Sequence, residues 1–135
     1  SFKGHIPEGD GPIMGLLLVE MIAASGKTLQ GLVEDLLADV GPAFYERTDL
    51  RLSRPVAKAE MTEFLTKQAP AEIGSEKVAE ISQRDGVKYI MSDDSWLLIR
   101  PSGTEPVLRV YAEGRTQAMV KALLGYGEQV AKSVV

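Results

Sequence analysis

The stretch from Trp96 to Ala112 constrains the fold more than any other. It is an apolar run, Trp96-Leu97-Leu98-Ile99, then Arg100-Pro101-Ser102-Gly103-Thr104-Glu105-Pro106, then a second run, Val107-Leu108-Arg109-Val110-Tyr111-Ala112. Both runs have the β-branched and aromatic content of strands, and a proline stiffens each end of the segment between them. Two strands joined this closely form an antiparallel hairpin. Because side chains alternate between faces, Leu97, Ile99, Leu108, Val110 and Ala112 share one apolar face, and Arg100 and Arg109 share the other. The expected register closes with Arg100 opposite Val107 and Leu98 facing Arg109.

The loop carries an inventory suited to phosphate. A guanidinium grips two phosphate oxygens with a fork of donors, and hydroxyls donate to the remaining lone pairs. Arg100 supplies the fork, Ser102 and Thr104 the hydroxyls. Gly103 permits a positive φ that turns successive N–H groups toward one anion. Arg109 adds a second cation beside the loop. The same residues also fit an ordinary polar hairpin with exposed arginines, and spacing alone leaves both readings open.

Upstream, Ser1 to Gly9 has no periodicity and reads as loop, with His5, the sole histidine, an ordinary loop residue. Asp10 caps a helix from Ile13 to about Ser25, with Pro12 in its first turn and Ile13, Leu16, Leu17 and Met21 along one face; Gly26 ends it. Thr28 caps a second helix, Leu29 to Val40, ended by Gly41-Pro42. The pair carries much apolar surface for its length and either belongs to a larger domain or packs on the downstream domain, and an uncovered apolar face is a patch prone to association. Gly26-Lys27-Thr28 is not a P-loop, since Met21 holds the place of the required glycine, and Gly9, Gly11 and Gly15 have the wrong spacing for a dinucleotide fingerprint.

Phe44 to Arg54 reads as a connector or hinge, in which Tyr45, Arg47 and Asp49 are either solvated or substrate or hinge contacts. A helix follows from Lys58 to Gln68, buried through Met61, Phe64 and Leu65. Four consecutive strands are expected: Lys77 to Ser82, Val87 to Met91 after an Asp85-Gly86 turn, Ser95 to Arg100 after an Asp93-Asp94 turn, and Val107 to Glu113. A last helix, capped by Thr116, runs to about Ser133 with Met119, Leu123, Tyr126 and Val130 inward; Gly125 and Gly127 weaken its middle. The class is therefore α+β, a four-stranded antiparallel sheet with flanking helices on one face, preceded by two helices from the end of another domain. The boundaries are 1–43, a connector at 44–55, and 56–135.

Composition narrows the partners. A net charge of −4 disfavours nucleic acid, so an anion site must be local. No cysteine is present, which removes disulfide and thiolate chemistry. No stretch approaches the roughly 18 apolar residues of a membrane helix and no signal peptide opens the chain, so the cytoplasm is the expected location.

Trp96 to Glu113, WLLIRPSGTEPVLRVYAE, resembles the C-terminal phosphate loop of the α-D-phosphohexomutases, the phosphoglucomutase/phosphomannomutase family. GHIPEGDG at Gly4 to Gly11 is similar to the end of the preceding domain in that family. The resemblance spans nearly the whole chain and favours the phosphate reading of the loop. It implies a C-terminal fragment whose last domain has a fold like the TATA-binding-protein superfamily. It also implies a parent enzyme that shuttles phosphate between the C1 and C6 hydroxyls of a hexose through a phosphoserine and a hexose 1,6-bisphosphate. The catalytic serine and the Mg²⁺ ligands of that chemistry lie in earlier domains, so no catalytic or metal residue is expected here. The implied clamp is Arg100, Ser102, Gly103, Thr104 and Arg109. Glu105 has no evident role beyond orienting an arginine. Phosphoglucosamine mutase and a stand-alone phosphosugar-binding module are the alternatives.

Overall fold

A computed structural model describes residues 3–4, 9–102 and 105–133. The chain divides into two compact units, 1–41 and 42–135.

The first unit is a helix pair. α1 (Gly11–Ser25) starts at Asp10, whose side chain accepts from the Ile13 N–H at 3.0 Å, and ends at Gly26 in the left-handed conformation, φ 65°. α2 (Leu29–Val40) starts at Thr28, whose hydroxyl accepts from the Gly31 N–H at 3.1 Å. Both caps act as the sequence predicts. α1, however, is not one-sided: Met14, Leu16, Leu18, Val19 and Met21 are all exposed, and neither helix buries a residue. A helix apolar all round is one built to be enclosed. No single helix among the described residues is long and apolar enough to cross a membrane.

The second unit is an antiparallel sheet covered on one face by helices. Its strands are β1 (Phe44–Arg51), β2 (Glu72–Ile73), β3 (Glu76–Ser82), β4 (Val87–Met91), β5 (Trp96–Pro101) and β6 (Val107–Gly114), in the order β1-β6-β5-β4-β3-β2. The four expected strands form the middle of this sheet, and the sheet has six strands rather than four. The two additions are its edges. β1 occupies most of the stretch expected to be a connector. It pairs with β6 residue by residue from Phe44↔Gly114 to Arg51↔Val107. Its polar sequence fits an edge strand, where charge discourages further pairing. A hinge within 44–51 would have to break that ladder. β2 is two residues long, too short to leave a periodic signal, yet it buries Ile73.

α3 (Lys58–Lys67) and α4 (Gln117–Ser133) cover the apolar face. Met61 and Leu65 from α3 and Met119, Val120 and Leu123 from α4 join Val87, Tyr89, Leu97, Ile99, Leu108, Val110 and Ala112 in one core. Tyr89, fully buried, donates its hydroxyl to the Leu65 carbonyl at 2.8 Å and meets Tyr126 edge-on at 5.9 Å. Burial pushes both phenols above their ordinary pKa. Gly127 is not merely a weak point of α4: a Cβ there would lie 2.6 Å from Val110 Cγ1. Gly125 has open space around it.

Candidate functional site

Within the second unit, the opposite face of the sheet is covered by neither α3 nor α4. Alternation places Lys88, Trp96, Leu98, Arg100, Arg109, Tyr111 and Glu113 there, together with Tyr45, Arg47 and Asp49 from β1. Its two ends have different chemistry. At one end, aromatic and charged groups satisfy each other. Trp96 Nε1 donates to Glu113 Oε1 at 3.1 Å, the Lys88 ammonium lies 4.0 Å from the Trp96 ring, and Tyr45 tilts against the same ring at 6.3 Å.

The other end is the loop end. Here Arg100 stands directly opposite Arg109, and Pro101 opposite Leu108. The expected register, Arg100 opposite Val107, is therefore displaced by two residues. It is Ser102 that bonds Val107, through its N–H to the Val107 carbonyl at 2.8 Å. A slip of two preserves the face, so both arginines remain on the open side as the alternation required. The hairpin extends one residue past Arg100 because Pro101 serves as the last residue of β5.

The loop is braced on several sides. The Glu105 N–H donates to Ser102 Oγ at 3.3 Å, and Val107 N–H donates to the Glu105 carbonyl at 2.7 Å. The Leu52 N–H donates to the Pro106 carbonyl at 2.8 Å, so the segment after β1 holds the loop's far end. Glu105 thus contributes through its backbone. Gly103, Thr104 and His5 lie outside the described residues.

Two carboxylates flank the arginine pair: Asp49, which the sequence offers as a candidate substrate or hinge contact, and Asp85, which it marks only as a turn residue. Asp49 on β1 is opposite Arg109, and Asp85 on the β3–β4 turn places Oδ2 3.1 Å from Arg100 Nη2. Asp49 is itself gripped by Arg47 in a two-pronged pair, 2.9 Å and 2.7 Å, while Arg47 lies 5.2 Å over the Tyr111 ring. The Arg47 hydrogen bond, with a smaller contribution from the Arg109 charge, holds the Asp49 carboxyl below its ordinary pKa; the same bond raises that of Arg47. Tyr45, Arg47 and Asp49 are exposed, as the solvated reading expects, but they stand on a paired strand, β1, rather than in a free connector. Arg109 differs from Arg100: its Nε is buried and has no hydrogen-bond partner among the described residues. A buried guanidinium nitrogen without an acceptor is costly unless an acceptor arrives.

Asp93 and Asp94 build a turn. Both oxygens of Asp93 are taken by the N–H and hydroxyl of Ser95, at 2.9 Å and 2.8 Å, and Asp94 has φ 67°. Among the described residues no group of three or more His, Cys, Asp or Glu is placed to hold a metal ion.

Comparison with known proteins places these features in a family. Residues 52–125, which include the whole loop and both arginines, match the family described as "Phosphoglucomutase/phosphomannomutase, C-terminal domain". A phosphoglucomutase/phosphomannomutase from Thermococcus kodakarensis is 31% identical over 126 residues, covering 93% of this chain and 25% of that protein. A probable phosphoglucosamine mutase from Thermococcus gammatolerans is 33% identical over 129 residues, covering 93% and 26%. A phosphoglucosamine mutase from Methanococcus aeolicus is 33% identical over 126 residues, covering 91% and 25%. The chain thus spans about a quarter of the length of the curated relatives it matches. It belongs to the phosphoglucomutase/phosphomannomutase family.

Proposed function

We propose that this chain is the phosphate-holding part of a phosphohexomutase, in which the loop at 100–106 grips the substrate phosphate that is not being transferred. The observation that carries this reading is the placement of Arg100 opposite Arg109 on the sheet face that α3 and α4 leave open, at the mouth of the loop begun by Ser102. Two forks at one cross-strand position match a dianion with three terminal oxygens. Ser102, Gly103 and Thr104 complete the clamp with hydroxyl and backbone donors.

In this reading the parent enzyme interconverts a hexose 1-phosphate and 6-phosphate through a phosphoserine and a hexose 1,6-bisphosphate. Phosphoryl transfer of this kind depends on positioning and electrostatics. The present residues bind and orient; the phosphoserine and the Mg²⁺ that assists its transfer belong to the remainder of the parent chain, and this part alone is inactive. Residues 1–43 then close the preceding α/β domain, and 56–135 with β1 form the phosphate-binding domain. The partners are a phosphosugar and the other domains of the same chain, and the setting is the cytoplasm.

The sugar is either a neutral hexose or glucosamine, because both names occur among relatives of similar identity. In the full-length parent, Arg100→Ala should raise KM for hexose 1-phosphate by about tenfold or more, the loss of a charge-assisted bidentate contact. An unchanged kcat/KM would refute the clamp. Parallel assays with glucose, mannose and glucosamine 1-phosphates identify the sugar.

A further inference from the structure

Arg100 and Arg109 are not equivalent. Among the described residues Arg109 Nε is buried without a hydrogen-bond partner, whereas Arg100 already holds an anion, the Asp85 carboxylate at 3.1 Å. We infer that Asp85 is an internal competitor for the anion that Arg100 grips, so that the β3–β4 turn sets how tightly phosphate is held. This rests on the phosphate-clamp reading and adds a residue to it.

The turn delivers Asp85 to this position by its shape. Gly86 has φ 91°, and a Cβ on it would fall 2.4 Å from the Ile99 carbonyl oxygen and 2.8 Å from Arg100 Cγ. The turn backbone therefore lies directly against β5 at Arg100, with room only for glycine, which keeps the Asp85 backbone beside Arg100. The contact reaches Arg100 from the β4 side, while Arg109 lies on the β6 side. A phosphate shared with Arg109 competes with the Asp85 oxygen for Arg100 Nη2. The pair is open to solvent, with side chains 40% and 61% exposed, which makes it weak enough for a dianion to displace.

Competition and repulsion act in the same direction. Asp85 occupies a donor that phosphate needs, and its charge repels a dianion bound beside it. Removing the charge should therefore tighten phosphate binding, by about two- to fivefold for an ion pair of this exposure. Asp85 would then also raise the threshold for weakly held monoanions, which recover less from displacing it.

The test is a titration of the chain with inorganic phosphate at fixed ionic strength, following the Ser102 amide by NMR, for the wild type, Asp85→Asn, Asp85→Glu, Arg100→Gln and the Asp85→Asn/Arg100→Gln double variant. The expected result is a Kd about two- to fivefold lower in Asp85→Asn, near wild type in Asp85→Glu, and no gain in the double variant over Arg100→Gln. Without ligand, the Arg100 Nε–Hε resonance should move in Asp85→Asn. Wild-type binding with an equal or weaker Asp85→Asn overturns the competitor role and leaves the clamp intact. A gain that persists in the double variant also overturns it, because the effect then bypasses Arg100. Absence of saturable binding in both wild type and Asp85→Asn refutes the clamp itself and this inference with it.

Discussion

Arg100 and Arg109 face each other as a cross-strand pair on adjacent central strands, two like charges at the separation where such pairs destabilise a sheet. The sheet answers with a carboxylate on each side, Asp49 opposite Arg109 and Asp85 against Arg100. Acid, arginine, arginine, acid thus runs across the open face at the loop mouth. Such a row keeps two cations together in a chain of net charge −4.

The two glycines of α4 should respond oppositely to alanine. Gly125→Ala enters open space and should stabilise the fold by about 0.4–1 kcal/mol through better helix propensity. Gly127→Ala forces a methyl to within 2.6 Å of Val110 and should cost about 1–3 kcal/mol. Urea melts of the two variants decide it; a stabilising Gly127→Ala would contradict the packing of α4 on β6.

Tyr89→Phe leaves the Leu65 carbonyl without its 2.8 Å partner and should destabilise by about 1 kcal/mol. The raised phenol pKa has its own signature. A folded pKa above the unfolded one stabilises the fold fully below about pH 10, the unfolded value, and this contribution falls as pH rises further. Stability followed from pH 9 to 11 should drop in the wild type and more gently in Tyr89→Phe. Equal slopes would contradict the burial of that hydroxyl.

The Asp49 carboxyl is predicted to titrate below its ordinary 3.8, chiefly because Arg47 donates to it. With a depressed folded value, its stabilising contribution is complete above about pH 5 and is lost as pH falls through the folded value below 3.8. A carboxyl-carbon NMR titration should show this midpoint, and Arg47→Gln should return it toward 3.8. A midpoint at or above 3.8 in the wild type would show that the pair does not form in solution.

Much of this architecture was legible from local rules. The strand pair around the loop, its apolar face of Leu97, Ile99, Leu108, Val110 and Ala112, and the caps at Asp10, Thr28 and Thr116 follow from period-two alternation and cap chemistry, and the structure has them. What escaped depends on residues distant in sequence. β1 looked like a connector because its charges obscure a strand whose partner lies some 60 residues on, at Val107–Gly114. The Arg100–Arg109 register slipped by two because Pro101 continues the ladder, a choice that apolar alternation cannot distinguish. Asp85 was visible only as a turn residue; its approach to Arg100 depends on how β4 is laid beside β5. Gly127 looked like a weak helix position because its reason is a side chain on another element.

The most direct test of the central claim is an NMR amide titration of the chain with glucose 1,6-bisphosphate, with sulfate at matched ionic strength as control, in the wild type, Arg100→Gln and Arg109→Gln. The account predicts saturable shifts at Ser102 and its loop neighbours, at about millimolar Kd or tighter, weakened by about tenfold in each variant. Shifts that are absent, or that survive both substitutions undiminished, would contradict it.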